Sequence, residues 1–314
     1  MSRVELPPEW LDRMARLPAD GGPDGATWAA GADRLIEQQL ITWQLEPTGA
    51  PVRTGRTAVV VPVSRTAGTP GAPSTLDTAD TAMLKLGWPH RESRGEHLAL
   101  RRWAGVGAVR LIAADPGRGA LLLEPLDADR DLTTLPVEKA CAVIGGLLRR
   151  LHVPALPQLV RLTDYVATGL AGLVEHPEAL PRRFVDQSHA LARELSTDPA
   201  STATLIHTDL HFENVLAGLR EPWLAIDPKP MAGHPGFEVQ PVLRNRSEDY
   251  AAAPSVRRGV RHRFEILCDA AELDRDRARA WTIVHATLNA SWAARDGDAQ
   301  TVGLSIAILK ALDT

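Results

Sequence analysis

Two prolines start a short amphipathic stretch over residues 6–17, and its apolar spacing predicts a helix. After a Gly/Pro turn at residues 20–24, Leu35, Ile36 and Leu40 recur at helical spacing, so residues 28–40 read as a second helix. The texture then changes. Residues 41–45 and 57–63 are rich in β-branched side chains and predict strands, with a two-glycine loop, 46–56, between them. Gly, Pro, Thr and Ala dominate residues 64–81, which predicts a long connection. Residues 82–87 form a short apolar run interrupted by Lys85, and 89–103 read as a helix. Residues 109–113 and 120–123 predict an antiparallel pair around the turn 115–119.

Beyond residue 125 the period becomes helical. Ala140, Val143, Ile144, Leu147, Leu148 and Leu151 form one stripe across residues 137–152. A helical stretch covers about 163–196 with a break near Pro181, and 256–312 is helical with Trp281, Val284 and Leu288 on a buried face. Between them, residues 205–227 read as strand, loop and strand. The expected class is α+β. Residues 1–124 form an N-terminal lobe, an antiparallel sheet with one key helix, preceded by helices over about 1–40. Residues 125–314 form a larger, mainly helical lobe.

The 314 residues suffice for two lobes, each with its own core. A content of 44% apolar and 24% charged residues is that of a soluble globular chain. With 35 basic and 39 acidic residues, the net charge of −4 argues against a nucleic-acid or membrane-surface partner. Cys141 and Cys268 lie far apart and form no C-x-x-C, so they suggest neither a disulfide framework nor a zinc site. No apolar run approaches the roughly 18 residues of a membrane span, and residues 1–10 lack the features of a signal peptide. The expectation is a cytoplasmic monomer acting on a small molecule.

The chemistry concentrates in His207-Thr-Asp209-Leu-His-Phe-Glu-Asn214, a pattern H-x-D-x-x-x-x-N, followed by Ala225-Ile-Asp227. Phosphoryl transfer needs a carboxylate near the attacking hydroxyl and oxygen ligands for a magnesium ion bridging the phosphates. A loop leaving one strand could present Asp209 to substrate and return Asn214 to the metal, while the next strand delivers Asp227 beside it. One alternative is a polar turn whose side chains satisfy only local backbone groups. Another is a metal site of His207, Asp209 and His211, which share one face of a strand at i, i+2, i+4. Upstream, a lysine inside an apolar strand requires a partner for its ammonium. Glu92, Glu96, Ala99 and Trp103 share a helical face. Glu96 lies in the more apolar part and is the expected partner of Lys85, with Glu92 the alternate. Gly49 to Gly55 is placed where a phosphate-covering loop would lie, without the G-x-G-x-x-G pattern. Glu124 and Leu126 sit where the lobes join, where backbone groups could hold an adenine edge. A cationic acceptor would favour carboxylates such as Glu213, Glu238, Glu248 and Asp249.

Several segments together resemble the aminoglycoside 6-phosphotransferase/hydroxyurea phosphotransferase family, the streptomycin-phosphorylating branch of the aminoglycoside kinases. They are residues 207–216, Glu221-Pro-Trp-Leu-Ala-Ile-Asp-Pro-Lys-Pro230, Gly233-His-Pro-Gly-Phe-Glu238 and Asn245-Arg246. Residues 99–103, 107–111, 119–124, 7–10 and 273–277 with Trp281 continue it, so the resemblance spans nearly the whole chain. It implies a bilobal protein-kinase-like fold, ATP and Mg2+ as cofactors, and transfer to a cyclitol hydroxyl of a streptomycin-type antibiotic. It implies Asp209 as base, Asn214 and Asp227 as metal ligands, and Lys85 with Glu96 on the phosphates. Lys229 is implied as a further phosphate or substrate contact. Glu213 stands where the family usually has a small residue and Glu238 where it has Asp. Other acceptors with the same machinery would be a non-antibiotic hydroxyl compound of the amino sugar, choline or homoserine type. A nucleotide-binding pseudokinase is the non-enzymatic alternative.

Overall fold

Val59, Val61 and Val63 are buried while Val60, Pro62 and Ser64 are half-buried, the alternation of a strand with one face on a core. This strand belongs to a computed structural model that describes residues 4–65, 81–175 and 180–313. The expected long connection, 64–81, is strand at its ends, and its middle, 66–80, lies outside the described residues. The chain divides into two compact units, one of residues 1–105 and 109–126, the other of residues 106–108 and 127–314.

In the first unit, helices α1 (Pro8–Met14), α2 (Gly25–Ala29) and α3 (Ala32–Trp43) precede strands β1 (Leu45–Pro47), β2 (Arg53–Thr54), β3 (Ala58–Arg65) and β4 (Thr81–Gly87). Helix α4 (Glu96–Trp103) follows, then β5 (Leu111–Asp115) and β6 (Ala120–Leu123). The strands pair antiparallel in the order β1-β3-β4-β6-β5, with β2 also on β3. Trp10, Met14, Ile36 and Leu40 share one core cluster with Val59, Val61, Leu84 and Leu86. Trp10 Nε1 donates to Gly55 O at 2.9 Å and so ties α1 to the glycine loop.

Two expectations fail here. Residues 41–43 continue α3 instead of starting a strand. Packing of Ile36, Gln39 and Leu40 outweighs the β preference of Ile41 and Thr42, and the Thr42 hydroxyl donates back to Gln38 O at 2.7 Å. Gln44, at φ 54°, then ends the helix. Residues 91–95 form a 3-10 turn capped by His90 and Ser93, so the long helix begins only at Glu96.

The second unit contains β7 (Asp127–Asp131), α5 (Val137–Leu151), β8 (Val153–Pro154), α6 (Leu162–Ala171), α7 (Arg182–Leu195) and β9 (Thr204–Ile206). It continues with β10 (Val215–Ala217), β11 (Leu224–Ala225), β12 (Met231–Gly233), α8 (Val239–Arg244), α9 (Val256–Ala271), α10 (Arg275–Arg295) and α11 (Ala299–Leu312). Strand β10 lies between β11 and β7, and β9 between β12 and β8. Strand β7 was expected to be helical. Its sequence, Asp-Ala-Asp-Arg-Asp, is largely exposed and carries no apolar period; pairing with β10 alone makes it a strand. Helix α10 is buried along most of its length, Trp281, Val284 and Leu288 included. No helix among the described residues is long and apolar enough to cross a membrane.

Candidate active site

In the first unit, Lys85 lies mid-strand in β4 with only 8% of its surface exposed. Its Nζ stands 2.6 Å from Glu96 Oε1, at the first residue of α4. A carboxylate at a helix N-terminus is favoured by the exposed backbone N–H groups there. Glu92, the alternate, is exposed. Removing either partner would leave the other as an uncompensated buried charge. Glu124 turns back on its own sheet, Oε1 accepting the Arg110 N–H at 2.7 Å. Leu126 is half-buried at the end of the same unit.

In the second unit, β9 feeds a loop from His207 through the 3-10 turn Phe212–Asn214 into β10. His207 is completely buried. Its Nε2 donates to Ile226 O at 2.9 Å, and its Nδ1 accepts the Asp209 N–H at 3.3 Å. Burial holds the ring below its usual pKa despite the nearby Glu238 and Asp209 carboxylates, so it is neutral. Both ring nitrogens are thus bonded to backbone groups, which removes His207 from a metal site with Asp209 and His211.

Thr208 has φ 64°, a left-handed conformation that is strained for a β-branched residue. The surroundings hold it there. Its N–H donates to Glu238 Oε1 at 3.1 Å, its hydroxyl donates to Lys229 O at 2.6 Å, and the Lys229 N–H donates to His207 O at 3.0 Å. Glu238, expected to line an acceptor pocket, is instead fully buried. Its Oε1 also accepts the His207 N–H at 2.5 Å, and its Oε2 lies 2.5 Å from His152 Nε2. It therefore anchors the loop from beneath and touches no acceptor. The turn Pro235–Glu238 is braced by His285 of α10, stacked on Phe237 at 3.9 Å with Nδ1 donating to Phe237 O at 2.9 Å. Burial pushes the pKa of His285 down to about 4.

Asn214 Nδ2 donates to Asp209 O at 2.8 Å, and the Ile226 N–H donates to Asn214 O at 2.9 Å. These two bonds bring Asp209, Asn214 and the residue before Asp227 together. Asp227 has φ 55° and a half-exposed carboxylate. The Asn214 side-chain oxygen and the Asp227 carboxylate are hard oxygen donors of the kind a divalent cation takes.

Lys229 Nζ lies 2.5 Å from Asp209 Oδ2 and 3.5 Å from Asp227 Oδ2, and Arg244 Nη2 lies 3.6 Å from Asp209 Oδ1. Burial alone would raise the pKa of Asp209, but Lys229, His211 and Arg244 outweigh it and hold the carboxyl below its usual value. Glu213 is exposed, 3.9 Å from His211 Nδ1, and Glu248 is exposed. Asp249 is paired with Arg246 and Arg263, at 2.9 and 3.3 Å. Sequence reasoning missed Arg244. It ends a six-residue helix with no motif, and only the fold brings it to Asp209.

Residues 42–297 match the family described as aminoglycoside/hydroxyurea antibiotic resistance kinase. The chain is similar to a hydroxyurea phosphotransferase of Kitasatospora aureofaciens, 40% identical over 98% of this chain and 86% of that protein. It is also similar to a streptomycin 6-kinase of Streptomyces griseus, 38% identical over 93% of this chain and 92% of that protein. Among solved structures, choline kinase LicA from Streptococcus pneumoniae aligns with TM-score 0.56 and 13% identity, covering 90% of this chain and 98% of that one. Amicoumacin kinase hAmiN, in complex with AMP-PNP, Ca2+ and Ami, aligns with TM-score 0.52 and 13% identity, covering 89% and 92%. At such identities the structural likeness shows the fold alone, and that fold is the protein-kinase-like α+β fold expected from sequence.

Proposed function

Because the chain belongs to the aminoglycoside/hydroxyurea antibiotic resistance kinase family, we propose that it transfers the γ-phosphoryl group of Mg·ATP to a hydroxyl of an aminoglycoside antibiotic of the streptomycin type. The observation that carries this reading is the loop geometry of the second unit, where Asp209, Asn214, Asp227 and Lys229 converge through named hydrogen bonds and ion pairs. Phosphorylation would inactivate the drug, in the cytoplasm where ATP is supplied.

In this mechanism Asp209 accepts a hydrogen bond from the acceptor hydroxyl and aims its oxygen at the phosphorus. Lys229 and Arg244 keep the carboxyl ionised, so it is a weak base that takes the proton late in the transfer, an effect of about 10²- to 10⁴-fold. Asn214 and Asp227 would hold Mg2+, which when bound neutralises charge on the phosphates. Lys85, braced by Glu96, grips phosphate oxygens, and Lys229, placed between Asp209 and Asp227, offers its ammonium to phosphate or acceptor as well. The intact set of Lys85, Asn214 and Asp227 favours an enzyme over a pseudokinase.

A second acceptor, the small neutral hydroxyurea, is favoured by the 40% identity to a hydroxyurea phosphotransferase. The test is incubation with Mg·ATP and streptomycin or hydroxyurea in parallel, followed by product mass. The expected result is a gain of one phosphate on streptomycin. Consumption of ATP with no phosphate on either compound would move the acceptor outside the antibiotics.

A further inference from the structure

Each oxygen of the Asp209 carboxylate faces a different cation. Lys229 takes Oδ2 at 2.5 Å, and Arg244 stands 3.6 Å from Oδ1. Arg244 is held in that place. Its Nη1 donates to Asn289 Oδ1 at 2.9 Å, and Asn289, on α10, donates on to Ser305 Oγ of α11 at 3.4 Å. Asn289 is 6% and Ser305 1% exposed, so the guanidinium is fixed from the core outward. The Arg244 side chain keeps about a third of its surface open (34%), as does the carboxylate to a lesser degree (21%). A hydroxyl hydrogen-bonded to Oδ1 of Asp209 would therefore stand beside the Arg244 guanidinium.

We infer that Arg244 is an acceptor-specificity residue: it weakens, without abolishing, the binding of an acceptor with cationic groups beside the reacting hydroxyl and favours neutral oxygen or nitrogen there. The inference rests on the kinase reading above. Overall identity does not separate the two antibiotics named there, since the relatives that act on them are 40% and 38% identical to this chain. Charge beside the base does. Streptomycin carries guanidinium groups on its cyclitol ring, and a second guanidinium close to Arg244 is repelled in a partly desolvated site. Hydroxyurea is neutral and can accept hydrogen bonds from the Arg244 fork.

The experiment compares wild type, Arg244→Gln and Arg244→Lys, with thermal unfolding to confirm folding and kcat and KM measured on both acceptors. In Arg244→Gln the ratio of kcat/KM for streptomycin to that for hydroxyurea should rise about tenfold, through KM for streptomycin. In Arg244→Lys, which keeps the charge, the ratio should stay near the wild-type value. An unchanged ratio in Arg244→Gln, or an equal rise in both variants, overturns the assignment. If wild type phosphorylates neither acceptor, the kinase reading for these drugs fails while this one is still decided. Calorimetric binding of streptomycin in the presence of AMP-PNP and Mg2+ should then be tighter in Arg244→Gln than in wild type, and equal affinity refutes the role of Arg244.

Discussion

A carboxylate fully removed from water needs donors to replace its hydration, and Glu238 has three. They are the His207 and Thr208 N–H groups and His152. Through them one side chain sets the backbone immediately before Asp209 and restrains Thr208 in its left-handed conformation. Glu238→Ala would leave two buried N–H groups unsatisfied and release that strain. Its expected cost is about 3 kcal/mol, read as a lowered urea midpoint, with a loss of turnover that exceeds the loss of folded protein. An unchanged midpoint would show that the loop is held by other means. The Asp209, Asn214 and Asp227 pattern was visible in sequence because its spacing is local and its residue types are those the chemistry demands. Glu238 was visible as a carboxylate but not by its direction. Its partners lie 30, 31 and 86 residues away, and the pairing of β12 with β9 brings the turn at Pro235–Glu238 under the loop.

At the scale of elements, α5 shows how packing can reverse a local preference. Its apolar stripe predicted the helix, and Ala140, Ile144, Leu147, Leu148 and Leu151 are indeed buried. Within it stand two adjacent glycines, each of which costs about 1 kcal/mol in a helix relative to alanine. A Cβ on Gly145 would meet the Ala270 Cβ at 2.5 Å and Leu267 O at 3.2 Å, so α9 packs directly on that backbone. A Cβ on Gly146 would meet nothing within 4 Å. Gly145→Ala should therefore destabilise by about 1–3 kcal/mol, while Gly146→Ala should stabilise by about 0.5–1 kcal/mol. Opposite shifts in thermal midpoint are the expected outcome, and a gain from both would mean that α9 gives way easily. Strand β7 and residues 41–43 were misread for the converse reason. Their state is decided by partners far along the chain, β10 for the first and the packing of Ile36, Gln39 and Leu40 for the second, and not by their own propensity.

For the whole molecule, the broad division into an antiparallel sheet with one key helix and a mainly helical remainder was legible because hydrophobic period changes along the chain. The short strands β8 and β12 escaped notice, being too short to show a period. Each unit holds part of the proposed machinery, the Lys85–Glu96 pair in the first and the loop with Asp209, Asn214 and Asp227 in the second. The central claim is that Asp209 serves the acceptor and not the nucleotide. Asp209→Asn keeps the size of the side chain and removes its charge and basicity, so its turnover and its Mg·ATP affinity should be measured side by side with wild type. The account predicts nucleotide affinity close to wild type and phosphoryl transfer reduced at least about a hundredfold. Wild-type turnover in Asp209→Asn would contradict it and remove Asp209 from the mechanism.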